Sequence, residues 1–412
     1  MNTDYRNQPA GTLTFSITGL ASTFILIALV AFAGGYLLAT VVNTPAGDSL
    51  QVFREAHDLV NDEFYYNKPA DTEQINGAIN GMLAAFKDPY TLYLPPVQAA
   101  QEMTVMEGES GGIGAVVGTN DKNEMVITEV RLGWPAEVAG IKVGDVITAV
   151  DGDSIAGKTL SDAVSLIRGP LGTEVELTLR RTGTSDPIVV MVKREQINVY
   201  GTMLDGKIAY ISMSIFSKDA DQQIVSQLDK LLPQKPRALI FDLRGNPGGY
   251  LDQAIKVADI FLPAGKVASE KLSDGQSNVF NADDGDLGEQ IPMVVLVNKG
   301  SASASEIVAG ALKDRGRAIL IGQTTYGKGS VQTIHRLSDG SQLRVTHGAW
   351  YTPNETPITK DGQPVGLAPD IDVKMPDTPD ATEVGTTNDP VRDAAIEYID
   401  KTYPLGLSPF TP

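Results

Sequence analysis

The chain has no cysteine. Thiol catalysis, disulfides and cysteine-ligated zinc are excluded, while compartment is left open. Histidine is scarce too: His57, His335 and His347 are the only 3. Three scattered histidines supply no set for a catalytic metal. The last two sit in strand-like sequence with no evident carboxylate partner. Basic residues number 33 against 51 acidic ones, for a net charge of −18. That balance argues against nucleic acid and against a general role at anionic membrane surfaces. No charged residue lies between Arg6 and Asp48. Within that gap Leu20 to Val42 is strongly apolar, longer than the roughly 20 residues that cross a bilayer. Ala31-Phe32-Ala33 fits a small-x-small signal cleavage site, but the apolar run continues to Val42. The expectation is therefore an uncleaved single-pass anchor in the cell membrane. Arg6 and the free amine would lie inside, and the rest of the chain outside the cytoplasm.

With 412 residues, 42% of them hydrophobic, the chain can build two or three domains with a sizeable core. Leu50 to Phe64 carries a helical stripe of Val52, Phe53, Ala56, Leu59 and Val60. A second helix reads Ile75, Ala78, Ile79, Met82, Leu83 and Phe86 and stops at the turn Asp88-Pro89-Tyr90-Thr91. Packing or a dimer contact is the expected use of this pair. Glu109 to Arg194 reads as a small β-rich domain. Beyond it, strands and helices alternate from residue 196 to 375. Ser273 to Gln290 is polar and acidic, expected as a mobile loop or hairpin near the cleft. Met375 to Asp389 is a linker, and Val391 to Ile399 a short amphipathic helix for dimer contact or self-docking.

The most informative stretch runs from Pro292 to Gln332. An apolar run, Met293 to Val297, precedes Asn298-Lys299-Gly300-Ser301-Ala302-Ser303-Ala304-Ser305-Glu306 and then a helical pattern. The reading is strand, tight turn and helix, with serines at the helix mouth. Free N–H groups and the dipole at that mouth suit an oxyanion. A serine is a poor nucleophile until a base takes its proton. With histidine scarce, the base available nearby is Lys328, between Gly327 and Gly329. Bringing a lysine from about 10.4 to near 7 requires on the order of 4–5 kcal/mol of desolvation. On an extended strand Lys328, Ser330 and Gln332 share a face, so Gln332 is placed to orient the neutral amine. Spacing alone leaves Ser301, Ser303 and Ser305 open as the nucleophile. One decoy is present: Gly322 to Lys328 fits seven positions of a phosphate-binding P-loop. The eighth is Gly329 rather than Ser or Thr, and a strand, not a helix, is expected to follow.

Gly300 to Glu306 together with Tyr326-Gly-Lys-Gly-Ser-Val-Gln332 closely resembles the carboxyl-terminal processing (tail-specific) serine peptidases. The resemblance implies Ser303 as nucleophile, Lys328 as general base and Gln332 as its support. It also implies an α/β peptidase core of the crotonase/ClpP-like α/β spiral type. Asn76 to Leu83 with Asp88 to Thr91 resembles the family's N-terminal helical segment, and Gly366 to Val373 the end of its core. Asp242-Leu-Arg-Gly-Asn-Pro-Gly-Gly249 is a strand-to-helix glycine turn, which by itself suits a phosphate or an oxyanion. The resemblance favours the oxyanion hole, from the amides of Gly248 or Gly249 with Ala304.

Gly111 to Val117, with Ala139-Gly-Ile-Lys-Val-Gly-Asp-Val-Ile147, resembles a bacterial PDZ domain. Amides around Gly112, Ile113 and Gly114 would cradle a terminal carboxylate. The strand beginning Ala115-Val116 would take the peptide as an added β-strand. Trp134 replaces the small residue the family commonly has before the proline, a feature expected to narrow or regulate the groove. Arg168 has two readings: a solvated helix-end arginine, or the residue by which a docked PDZ domain signals to the active site.

The domains expected are thus 1–43 tip and anchor, 44–104 helical segment, 105–195 PDZ domain, 196–375 peptidase core, and 376–412 linker and helix. The function expected is a membrane-anchored serine endopeptidase acting on proteins with free C-termini. It needs no cofactor and can form a homo-oligomer through its terminal helical segments. A tethered PDZ scaffold with an inactive peptidase domain is the alternative; a P-loop ATPase is a third reading.

Overall fold

The computed structural model describes residues 50–108, 110–196, 198–360, 363–374 and 389–405. The proposed anchor at 20–42 and most of the linker at 375–389 lie outside them. Among the described residues no helix is long and apolar enough to cross a membrane. The chain forms two units, residues 1–75 and 76–412. The division falls inside the helical segment expected at 44–104.

In the first unit, α1 (Gln51–Glu63) has the expected amphipathic spacing, but none of its residues is buried. Val52, Phe53, Leu59 and Val60 are all exposed. Asn61 and Gln74 exchange side-chain hydrogen bonds at 3.1 and 3.2 Å, tying α1 to the start of α2 (Asp71–Ala84).

The second unit opens with β1 (Leu92–Leu94) and α3 (Pro96–Met106). A five-strand ladder follows: β2 (Ala115–Thr119), β3 (Met125–Val130), β4 (Val146–Val150), β5 (Glu174–Arg180) and β6 (Ile188–Lys193), hydrogen-bonded in that order. Ile127, Ile147, Val175, Leu177 and Leu179 fill its core against Ala163 and Ile167 of α4 (Leu160–Ile167). Thr159 and Asp162 form a capping box that starts α4. As an edge strand, β2 leaves one row of backbone groups open for an added strand.

The remaining chain builds two sheets. Strands β7 (Val199–Leu204), β8 (Ile208–Met213), β9 (Ala238–Asp242), β12 (Met293–Val297), β13 (Ala318–Gly322) and β16 (Ile371–Asp372) form one, parallel except for the β7–β8 pair. Helices cover both faces, so these strands read as continuous apolar runs rather than alternating ones. Leu239, Phe241 and Val295 meet α5 (Ala220–Leu231), α6 (Leu251–Asp259) and α7 (Ala304–Asp314) in one core. Ile240, Val294 and Leu296 point the other way, onto Val391, Ala395 and Ile399 of α8 (Pro390–Thr402). The C-terminal helix therefore docks on its own chain. The second sheet runs β1, β15 (Gln342–Tyr351), β10 (Gly265–Leu272) and β11 (Ser277–Ala282), with β14 (Ser330–Arg336) also on β15.

Two sequence expectations change here, and a third, the strand after Lys328, holds. Residues 273–290 contribute a hairpin turn and strand β11 and line no part of the cleft described below. His347 does have a carboxylate neighbour, Glu270, at 3.4 Å, because β10 and β15 pair. A strand follows Lys328, so the helix that a P-loop opens is missing.

Arg244, just past β9, is fully buried between two carboxylates. Its guanidinium donates to Asp242 at 2.5 and 3.1 Å and to both oxygens of Asp389, the N-cap of α8, at 2.8 Å. Burial works against the guanidinium's charge, but the two carboxylates win and raise its pKa well above the usual range. Asp389→Asn should lower unfolding stability by about 3–5 kcal/mol, because it leaves a buried cation half-neutralised. Urea denaturation of the variant checks this; an unchanged midpoint counts against the clasp.

Candidate active site

Strand β12 ends at Val297, and the chain turns through residues 298–303 into α7. Ser301 fixes the turn: its hydroxyl donates to Leu243 O at 2.8 Å and accepts from Asn298 N at 3.0 Å. Ser305 is equally committed, donating to Asn246 O at 2.9 Å. Both are fully buried. Of the three candidate serines, only Ser303 lines the large cleft of the second unit. Its backbone is held at φ 53°, ψ −115°. A non-glycine residue there costs roughly 1–3 kcal/mol and persists only when its surroundings over-determine it. Sharp, strained turns of this kind lift a nucleophile out at the mouth of a helix.

What holds the turn is Glu306, which is fully buried. Its Oε2 accepts from Ser303 N at 2.8 Å and Lys328 N at 2.9 Å. Its Oε1 accepts from Gly327 N at 2.7 Å and Thr325 Oγ1 at 2.6 Å. One carboxylate thus fixes the backbones of both proposed catalytic residues. Burial raises the Glu306 pKa; the hydrogen bonds pull the other way without cancelling it. Ser303-x-x-Glu306 is a capping-box pattern visible in the sequence. Its reach to Lys328 was not.

Lys328 lines the same cleft as Ser303 and is half-buried. Desolvation lowers its pKa, and Arg344 lowers it further. Glu102, Asp88 and Glu306 oppose that shift, but the net direction is down. The Tyr90 ring lies 5.3 Å from Nζ. A ring face favours the ammonium form, a small counterweight to desolvation. The Tyr90 hydroxyl is itself pushed up to about 12, mainly by burial. Among the described residues no hydrogen bond joins the Ser303 hydroxyl to the Lys328 amine. Catalytic contacts commonly tighten only when substrate closes the site.

Gln332 also lines the cleft, and its amide nitrogen donates to Ser330 Oγ at 2.7 Å and Thr346 Oγ1 at 3.3 Å; among the described residues no hydrogen bond joins it to the lysine amine. The register between β14 and β15 shifts after Val331, with the extra residue, His347, on β15, and the side chains of Ser330 and Gln332 stay on one face.

The glycine turn meets the serine turn directly. A Cβ on Gly248 would lie 2.8 Å from Ser303 Cβ and 3.0 Å from Ala304 N, and its φ is +106°. No other residue fits there. The oxyanion assignment needs one correction. The Gly248 N–H is taken by Asn246 Oδ1 at 2.9 Å, so it is not free in this arrangement. The amides of Gly249 and Ala304 have no acceptor among the described residues.

On the PDZ side the Gly112 amide is likewise occupied, donating to Glu195 O at 2.9 Å. Gly112 forms a bridge with Glu195 that closes the domain, so the cradle expected from Gly112 to Gly114 shrinks to the amides of Ile113 and Gly114. Ala115 and Val116 begin the open-edged strand β2, and α4 packs beside it. Trp134 is buried against Gly114, where an added Cβ would lie 2.4 Å away. It shapes the loop and is not an exposed wall of the groove. Arg168, at the end of α4, lines the cleft shared with Ser303 and Lys328. That cleft holds about 1050 Å³ and is also lined by Glu102, Tyr250 and Arg344. Glu102 and Arg344 form an ion pair at 2.6 Å, a pairing across 242 positions of sequence with no local signal. Among the described residues no cluster of acidic or histidine side chains could hold a metal ion.

Known proteins share this fold and domain content. Residues 207–373 match the model of peptidase family S41, and residues 126–181 the PDZ domain model. Residues 38–96 match the N-terminal domain of the activating protease CtpB. A carboxy-terminal-processing protease of Bartonella bacilliformis is 40% identical over 320 residues, covering 76% of this chain and 72% of its own. The carboxy-terminal processing protease CtpA of Bacillus subtilis is 35% identical over 367 residues, covering 87% and 74%. Among solved structures, the photosystem II D1 C-terminal processing protease superposes with a TM-score of 0.51 at 28% identity, covering 82% of this chain and 92% of that one. A putative S41 protease from Bacteroides fragilis, at 18% identity and TM-score 0.55, shares the fold, covering 82% and 91%. The chain belongs to the carboxy-terminal processing proteases of peptidase family S41: it is a serine peptidase with an α/β core and a PDZ domain.

Proposed function

We propose that the chain is a membrane-anchored, extracytoplasmic endopeptidase working through a Ser303–Lys328 dyad. One observation carries the dyad: the strained Ser303 and the desolvated Lys328 line one cleft, and one buried carboxylate holds both backbones. Lys328, neutral when it acts, takes the Ser303 proton as Oγ attacks the peptide carbonyl. The oxyanion forms at the mouth of α7, where the Ala304 and Gly249 amides are free to donate. Lys328 then returns the proton to the leaving amine. Gln332 supports this by fixing Ser330 and Thr346 beside the lysine. The charge-free segment ahead of Asp48 supports the anchor. The exposed apolar face of α1 supports a contact between copies. The PDZ edge strand and the Ile113–Gly114 amides support substrates read from a free C-terminus. The scaffold alternative is disfavoured because a non-catalytic turn has no use for the strain at Ser303.

Ser303→Ala and Lys328→Ala should each lower peptide hydrolysis by about 10⁴-fold with the fold intact by circular dichroism. Normal turnover in either purified variant defeats the dyad. Amidating a substrate's terminal carboxylate should lower kcat/KM about tenfold, through lost charge-assisted bonds. Equal hydrolysis of the acid and amide peptides removes the tail-reading claim.

The lysine also makes a pH prediction. Because the folded-state pKa of Lys328 lies below 10.5, the folded chain sheds a proton that the unfolded chain keeps. Wild type therefore gains stability relative to Lys328→Met as pH rises from the folded-state pKa towards 10.5, and the methionine variant is the more stable below that window. Melting temperatures of the two across pH test this; parallel curves would mean the lysine is not desolvated. Activity should rise with pH through the same folded-state value.

A further inference from the structure

Resting on the tail-reading PDZ domain just proposed, we infer that Arg131 is a positioning residue through which that domain holds the oxyanion turn. Arg131 lies just past β3 and is buried with Glu129. Its backbone N–H donates to Gly114 O at 3.1 Å, in the loop assigned to the terminal carboxylate. Its side chain points into the peptidase core. Nη2 donates to Arg244 O at 2.8 Å, and Nε to Glu129 Oε1 at 3.0 Å. Glu129 stands opposite Val116 in the β2–β3 ladder, so its partner strand is the one that would receive the peptide. Two hydrogen bonds therefore lead from the tail-binding loop to the first residue of the glycine turn.

The core side is shaped to take this contact. Gly245 has φ +63°, and a Cβ on it would lie 2.8 Å from Glu129 Oε2 and 2.9 Å from Arg131 Nη2. The missing side chain is what lets the ion pair sit on the turn. Arg244 has its guanidinium locked by Asp242 and Asp389, so its carbonyl has little freedom of its own. From there the turn is stiff. Gly245 N donates to Asn298 Oδ1 at 2.9 Å, and Asn246 O accepts from Ala302 N at 3.0 Å. Asn246 is also the residue whose side chain holds the Gly248 amide. A shift of the Arg244 carbonyl thus reaches the oxyanion donor Gly249 within five residues. Arg168 approaches the cleft from another element, the end of α4, so this connection stands independently of it.

A merely structural seam would lose stability on mutation but not tail discrimination, and that separates the two readings. The full chain would be assayed in detergent with two peptides differing only in a terminal carboxylate or carboxamide. Glu129→Gln/Arg131→Met removes both charges, leaving no buried unpaired ion, and Arg131→Lys keeps a donor. The expected result for the double variant is a kcat on the acid peptide lowered by up to roughly tenfold, towards that on the amide, with KM within about twofold of wild type. Arg131→Lys should recover part of the loss. A folded double variant with the wild-type acid-to-amide ratio overturns the inference, as does a change confined to KM. If the double variant does not fold, the ratio in Arg131→Lys decides, and a wild-type value there overturns it. If wild type itself makes no distinction between the peptides, the tail-reading proposal fails, and this one with it.

Discussion

A single buried carboxylate organises the catalytic half of this protein. Glu306 sits on the first turn of α7, yet three of its four partners lie beyond β13, on the segment carrying Lys328. A carboxylate in such a dry place is costly unless every lone pair is used. Here three backbone amides and one hydroxyl use it. Those amides belong to the residues that must stay fixed if a serine and a lysine are to meet. The strain at Ser303 is tolerable for the same reason: the Ser303 amide is held by a partner that cannot move away. Geometry at Ser303 and Lys328 is then set by backbone hydrogen bonds, leaving both side chains free to react.

A second buried charge plays the corresponding part at the glycine turn. Arg244 is neutralised by Asp242 from its own strand and Asp389 from the far end of the chain. The C-terminal helix is therefore part of the core's electrostatics as well as a cover for the sheet. Tyr210 joins the cluster, donating to Asp242 at 2.7 Å. The PDZ domain adds the Glu129–Arg131 pair on top of the next residue. Three parts of the chain converge on a turn of six residues, whose donors must be placed to within a fraction of an ångström to stabilise an oxyanion.

Legibility in the sequence followed the range of the interactions. Strands β12 and β13 were readable because a run buried on both faces is apolar without a break. α7 was readable from its serine-rich start and Ile307, Val308, Ala311 and Leu312. The glycine turn at 244–249 announced itself as a strand-to-helix connection. By contrast, α1 shows the spacing of a packed helix but presents its apolar residues to solvent within its own chain. Periodicity reports that a face is apolar; it does not say what covers it. Gln332 illustrates a second limit. Alternation put it on the same face as Ser330, but the acceptors its amide would meet, Ser330 and Thr346, came only with the fold.

The chain's own order of residues was enough to establish the peptidase class and the PDZ domain and to nominate Ser303 and Lys328, because those readings rest on local motifs. Hydrogen-bond availability was a tertiary matter. Gly112 and Gly248 have the right residue type and position, yet Glu195 and Asn246 have claimed their amides. The charges around Lys328 are equally a product of folding, since Arg344, Glu102 and Asp88 come from three different elements. A sequence lists donors and charges; only the folded chain determines which are already paired and which are dry. A lysine's acidity and an oxyanion hole depend on that difference.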